Sequence, residues 1–437
     1  MNNLWDTDGE IYDSEIIGNN IYVTGKFNMV FPVTGPSALI STENGEIVGG
    51  GQLNFNGRVN VTIPDGNGGH YIGGDFSQVN GNPRPGICQV DAQRNLLPFS
   101  PNISDSRITN LFLHDNKLIM KGLVYLDRAW NSSGFVVCHL ETGLLDRSFV
   151  YDNHIDGLLS IGSGYKVHNN YVYFSSGNAQ VQYLCRFNPN DSVPTIESIE
   201  VRGGTHEVVS NILFRNDTAF LLGNFTQVGD ALRNNTAAIN TNTFRVLPWY
   251  PNANGRISSA ALYGNTLFVC GSFSSIGGRP LNRFAAIDVQ TSLALDWYPN
   301  ATNSEGGNFS SGVSEIFLDQ NKLYLINNFY DSNRQSRSQV GRINLPDLAL
   351  DNWFILADGH VSHIEKIAPN VLFTSGTFNK IGGKFRSNFA CMSLETGVVQ
   401  PMIANLNNTG TDILRDGNNE IFISGSFTSV NGVARNK

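Results

Sequence analysis

At 437 residues and 47.8 kDa the chain is long enough for two or three ordinary domains or for one large repeat array. Hydrophobic residues make up 41% and charged residues 15%, which supplies a core and excludes a solvated disordered chain. The formal charge of −8, with no local Lys/Arg run, excludes the basic face of a general nucleic-acid binder, and no stretch approaches the roughly 20 apolar residues that span a bilayer.

The N-terminal MNNLWDTDGEIYDSE has neither a basic nor an apolar region of the kind a secretory signal needs. Leu4–Trp5 followed by Asp8–Gly9 looks like the last strand of a unit that begins elsewhere. Ile21–Phe27 (IYVTGKF) then sets a motif: a short apolar strand, a Gly and a closing Phe. It returns at His70–Phe76 (HYIGGDF), Ala219–Phe225 (AFLLGNF), Leu267–Phe273 (LFVCGSF), Val371–Phe378 (VLFTSGTF) and Glu420–Phe427 (EIFISGSF), with a weaker copy at Leu323–Phe329 (LYLINNF). The closing phenylalanines are separated by 49, 149, 48, 56, 49 and 49 residues. The long step holds two degenerate copies, Lys117–Leu123 (KLIMKGL) and Tyr171–Gly177 (YVYFSSG), which makes nine repeats with a period of 50.

The rest of the unit recurs too. A turn follows the Phe, as in SQVNGNPR ending at Arg84, TQVGDALR at Arg233 and NKIGGKFR at Arg386. Next comes a small-residue strand such as Arg283–Val289 (RFAAIDV), then a turn such as Leu394–Gly397 (LETG). An aromatic–proline corner follows, as in Leu247–Gly255 (LPWYPNANG), and a last short strand leads to an Asn-containing turn. Gly 45 and still more Asn suit such a density of turns. Four short strands with a turn every 8–12 residues predict a four-stranded antiparallel sheet per unit, and no segment shows a helical apolar period. A sheet of that size must stack on its neighbours, so the expectation is all-β: a single β-propeller domain over residues 1–437, with an open solenoid as the alternative. The motif Gly is expected where a side chain would collide with the next blade, and the Phe between adjacent sheets.

The pattern LYVGGxF–[ST]xVxGxxR–xxLAAxDxxTGxLxxWxP resembles the delta-60 repeat family of β-propellers, which is similar in period and Gly placement to kelch repeats. The resemblance covers nearly the whole chain. It is specific in repeats two, five, six, eight and nine and poorest in three and four. It implies a propeller fold and a surface or binding role, usual in bacterial and phage proteins, and carries no catalytic residues with it. Nine Gly–Phe strands accompany only eight complete units, because the sequence stops at Lys437 before a ninth small-residue strand. Eight blades with a spare hairpin, nine blades with one incomplete, or part of a longer protein all fit, and eight is preferred.

Chemistry-bearing residues are few. Cys88, Cys138, Cys185 and Cys391 fall in small-residue strands and Cys270 beside a motif Gly, so all five read as buried small hydrophobes, without the C-x-x-C of a zinc site. His360 and His363 form an HxxH that does not converge on a metal without a helix. DTDGE (6–10) and DGNGG (65–69) are incomplete calcium loops and read as Asx turns. The triple glycine Gly49–Gly51 reads as a bend. No metal and no cofactor is expected. The departures from the repeat are the candidate binding loops: Tyr125–Ser133 with Arg128 and Trp130, Tyr330–Ser338 with Tyr330, Arg334 and Arg337, and the insertion Asn303–Ser311. The resulting expectation is a non-enzymatic structural or interaction module, a virion component (phage tail, neck or fibre) assembled in the host cytoplasm. Its partners would be other virion or surface proteins, with glycans as further ligands, and neither nucleic acid nor membrane insertion. The alternatives are a bacterial surface or secreted adhesin and, from another class, a hydrolase or lyase using a central channel.

Overall fold

The computed structural model describes residues 55–126, 130–145, 208–297, 312–345 and 347–415, and shorter segments at 166–177, 182–191, 195–203 and 429–434. It also describes Leu53, Phe427 and the strands Trp5–Thr7, Glu10–Ile17, Asn20–Lys26, Val30–Pro32, Ala38–Ser41 and Glu420–Gly425. Every regular element among them is a β-strand, and the strands form many small antiparallel sheets, eight of which have three or more strands.

Repeat six shows the plan. Its first strand, Ile257–Tyr263, turns into the motif strand Thr266–Gly271, whose other edge takes the small-residue strand Phe284–Asp288. Repeats two (Val59–Pro64, His70–Gly74, Ile87–Val90), three (Ser104–His114, Lys117–Leu126, Trp130–His139), five (Val209–Arg215, Thr218–Gly223, Thr236–Asn240) and eight (His360–Ala368, Val371–Thr377, Phe389–Ser393) keep this order. Among the described residues the expected fourth strand is complete only in repeats four (Glu197–Arg202) and seven (Ala349–Ala357). It shrinks to Arg245–Val246 in repeat five and to a single bridge elsewhere, such as Ile287 to Ala294.

The motif Phe fills the space between consecutive sheets. Phe273 packs with Phe220, Leu222 and Ala238 of repeat five, and Phe378 with Tyr324 and Ile326 of repeat seven. Phe76, Phe225, Phe273 and Phe378 are at most 2% exposed. The motif Gly has a different neighbour from the one expected. A Cβ on Gly74, Gly223, Gly271 or Gly376 would lie 2.0–2.1 Å from the carbonyl oxygen of Arg58, Val208, Arg256 or His360. Each of those carbonyls leads into the first strand of the same unit, so the crowding is internal to the sheet. Beside it, each first strand carries a β-bulge, between Val59 and Val61, Val209 and Asn211, Ile257 and Ser259, and Val361 and His363.

The turn after the Phe works as a clasp. In repeat eight it is the hairpin Lys380–Ile381/Lys384–Phe385, and Ile381 pairs with Ala357 of repeat seven. Val228 pairs likewise with Val201 of repeat four, and Val430 with Leu406. An Asn–Gly or Asp–Gly step before the first strands of repeats two, six and eight locks the clasp. Asn56, Asn254 and Asp358 each accept two backbone N–H bonds at 2.8–2.9 Å from the hairpin that follows (Ser77 and Gln78, Ser274 and Ser275, Asn379 and Lys380). The repeat Arg closes it from the other side: Arg84, Arg233 and Arg386 donate at 2.9 Å to the carbonyls of Leu97, Leu247 and Gln400.

The last sheet contains both ends of the chain. Gly410–Arg415 pairs with Glu420–Gly425, and the third strand is Ala38–Ser41, with Phe422 opposite Leu39 and Ile423 opposite Ala38. Glu10–Ile17 and Asn20–Lys26 form a two-stranded sheet of their own, and Trp5–Thr7 pairs with Val30–Pro32.

Candidate functional site

Of the predicted loop residues, Arg128 lies outside the described residues. Trp130 is described only through its backbone, paired with Leu126 at the start of a strand, and the insertion Asn303–Ser311 lies outside as well. The loop after Tyr330 is well defined. The Asp331 carboxylate accepts the N–H groups of Asn333 (2.9 Å) and Gln335 (2.8 Å), and Arg334 takes a left-handed φ of 60°. The Gln335 bond first, then that of Asn333 and the Arg337 guanidinium, hold the Asp331 carboxyl below the usual carboxylate range against the opposing desolvation. Arg337 is tied down: its Nε donates to Asp331 Oδ2 (3.0 Å) and its Nη1 to the Asp358 carbonyl of the next unit (3.2 Å). It therefore braces the loop. Tyr330, 76% exposed, and Arg334 do project. The same Asp-centred turn occurs at Asp65 and Asp91, so DGNGG is an Asx turn whose Oδ1 accepts from Asn67 and Gly69.

A second region was not legible as a motif. The first strands of several adjacent repeats lie side by side, and the bulged position is polar in repeats two, three and five to nine: Asn60, Thr109, Ser210, Ser258, Ser314, Ser362 and Thr411. Three of these side chains stitch neighbouring units. Asn60 Nδ2 donates to the Ile108 carbonyl (3.0 Å), Ser210 Oγ to that of Ile257 (2.7 Å) and Ser258 Oγ to that of Ser314 (3.2 Å). Each acceptor lies at the bulged position of the neighbouring first strand or one residue before it. The bulge re-aims the next residue, which in repeats seven and eight is charged: Glu315 and His363.

His363 Nδ1 lies 3.0 Å from Glu315 Oε1, and Nε2 lies 3.7 Å from Glu365 Oε2. Beside them Lys366 Nζ pairs with Asp319 Oδ1 at 2.6 Å. The hydrogen bond to Glu315, then that to Glu365, pushes the His363 pKa up to about 10 against its desolvation. At neutral pH the imidazole is therefore a cation held between two carboxylates across a unit boundary. His360 instead faces Ser362 Oγ (3.3 Å), so the HxxH pair does not act together. Since the folded pKa lies above the unfolded value, the stabilisation is complete below about pH 6.5 and is lost as pH rises through about 10. Urea midpoints of the wild type should fall more steeply between pH 6 and pH 10 than those of His363→Gln. Parallel curves would remove the clamp.

The five cysteines are free and buried, as the sequence predicts, and burial raises each thiol to about 12. Such thiols are inert as nucleophiles or ligands at neutral pH. Sequence reading also missed a pair of arginines. Arg186 and Arg342 sit in CRFN and GRIN, in the repeats with a complete fourth strand. Arg186 grips Glu197 (2.9 Å) between the rings of Tyr171 and Phe244 and donates to the Thr241 carbonyl of repeat five. Arg342 grips Asp351 (2.9 Å) over Trp353 and donates to the Leu394 carbonyl of repeat eight (2.7 Å). The shared R-[FI]-N step was the available signal.

No family model matches the chain, and no curated protein does. Solved structures do align with it. A computationally designed protein, Ika8, is 11% identical over 85% of this chain and 98% of its own, with a TM-score of 0.47. The AfRom2 CNH domain is 10% identical over 75% and 94%, with a TM-score of 0.38. The extracellular domain of a putative one-component system from B. thetaiotaomicron is 14% identical over 98% and 58%, with a TM-score of 0.37. At these scores the likeness decides neither fold nor role.

Proposed function

We propose that the chain is an eight-bladed β-propeller acting as a rigid, non-enzymatic interaction module, a component of a phage particle. The observation that carries the ring is the composite last sheet. Ala38–Ser41 supplies the third strand of repeat nine, and Phe55, which follows it in sequence, bridges Val79 in the clasp of repeat two. The clasps described in repeats five, eight and nine each join a unit to the one before it, which supports reading this bridge as the ninth repeat beside the second. The first strands then line the axis, and the hairpin Glu10–Lys26 is left over.

The inner-strand charges support bracing over turnover. The proton of an imidazolium between two carboxylates leaves no lone pair to act as general base. The placement in a tail, neck or fibre rests on the resemblance of the repeat, and its partners are neighbouring particle proteins in an oligomeric assembly. The adhesin reading has one observation of its own, the exposed Tyr330 beside Arg334. Mass spectrometry of density-purified phage particles tests the placement, with peptides of this chain expected at a fixed ratio to the tail proteins. Their absence from particles, together with binding to a glycan array that Tyr330→Ala and Arg334→Ala weaken, would replace it with the adhesin.

A further inference from the structure

Five Asn–Gly steps lie among the described residues, at Asn56, Asn67, Asn80, Asn254 and Asn431. Such a step is prone to lose the side-chain amide, because glycine puts no Cβ beside the backbone nitrogen that attacks it. All five asparagines are exposed, so access to water does not separate them. What holds each carboxamide does.

Asn254 Oδ1 accepts from the N–H groups of Ser274 and Ser275, and its Nδ2 donates to Ser274 Oγ at 2.9 Å. Asn56 repeats this on Ser77 and Gln78, with Nδ2 donating to Ser77 Oγ at 2.8 Å. Asn431 Oδ1 accepts from Asn405 N–H and its Nδ2 donates to the Ile403 carbonyl, both at 2.8 Å. Asn80 sits in the two-residue link between Gln78–Val79 and Asn82–Pro83, and their ladder fixes its backbone. Asn67 is held by none of these means. It lies in the turn between Val59–Pro64 and His70–Gly74, flanked by Gly66 (φ 84°) and Gly68 (φ 87°). Its backbone N–H serves that turn by donating to Asp65 Oδ1 at 2.8 Å. Among the described residues nothing bonds its carboxamide or the Gly68 N–H, and a Cβ on Gly66 would meet nothing within 4 Å.

We infer that Asn67 is a site of self-modification, where the chain converts its own carboxamide to a carboxylate. The Gly68 nitrogen attacks Asn67 Cγ. The N–Cγ bond forms, the Cγ–Nδ2 bond breaks, and the Gly68 amide proton leaves with the departing ammonia. Water then opens the cyclic imide. Attack at Cγ leaves an aspartyl residue, attack at the main-chain carbonyl an isoaspartyl residue, and nothing is oxidised or reduced. The aspartyl form keeps the turn, which uses only the Asn67 N–H. The isoaspartyl form routes the main chain through Cβ and Cγ. That lengthens the path between the N–H groups of Asn67 and Gly69, which Asp65 Oδ1 accepts together, and loosens the first hairpin of repeat two. The site lies wholly within that repeat and is independent of ring closure.

The test ages the full chain in mildly alkaline buffer, folded and in urea, and follows each Asn–Gly step by peptide mass spectrometry with fragmentation. Urea removes the fold and keeps the local sequence, so the ratio of the two rates is the protection at each site. Asn67 in the folded chain should react within about threefold of its rate in urea, while Asn56, Asn254 and Asn431 should be slowed at least about tenfold, since their bonds must open before the carboxamide can turn. Protection of Asn67 equal to that of Asn254 would overturn the inference. So would acid appearing at Asn254 or Asn56 before Asn67 in the folded protein.

Discussion

Phe273→Ala should destabilise the protein by about 3–5 kcal/mol, read as a shift in the urea midpoint at constant slope. The ring is 1% exposed and sits where two sheets meet. It shares one core cluster with Phe220, Leu222, Ala238 and Trp249 of repeat five and with Leu267, Val269 and Ile287 of its own unit. These neighbours are held by the ladders of both sheets and cannot collapse into the space, so the cavity term adds to the lost transfer energy. Phe329→Ala is the internal control. Repeat seven replaces the motif Gly with Asn327, its strand runs on to Tyr330, and Phe329 is only partly buried. Its loss should be clearly smaller. Equal losses at the two positions would mean that the motif Phe is not the filler between sheets.

Much of the architecture was legible because the repeat is a packing rule written nine times. Apolar alternation, the Gly and the Phe mark the strand that meets neighbours on both edges, and a fifty-residue period leaves room for little but short strands. The reason for the Gly was not legible. A collision with the next blade and a collision with the unit's own bulged strand leave the same letter in the sequence, and only the 2.0 Å approach to Arg256 O separates them at Gly271. The abundance of Asn was read as turn chemistry alone. Asn56 and Asn254 do more, because each side chain caps the clasp of the following unit. The His363 cluster was hidden for another reason. Glu315 and His363 are 48 residues apart, and only the bulge turns both toward the same boundary. Arg337 carries a role that the loop's composition did not show: a carboxylate six residues back holds it.

Leu39→Cys with Phe422→Cys should oxidise spontaneously, because cross-strand partners of an antiparallel pair lie within disulfide range. Closing a loop from residue 39 to residue 422 removes enough denatured-state freedom for a gain of up to about 6 kcal/mol. The native thiols are buried and should not interfere. The rival pair, Leu39→Cys with Tyr22→Cys, reports the arrangement that short-range spacing favours, in which Ala38–Ser41 folds back on its own hairpin. Local pairing has the smaller loop-closure entropy. In the structure Ala38–Ser41 nevertheless takes the distant partner, Glu420–Gly425. A thermal transition raised by the 39–422 disulfide, and unaffected or lowered by the 22–39 pair, is the expected outcome. The opposite ranking would return the strand to repeat one and leave the ring unclosed.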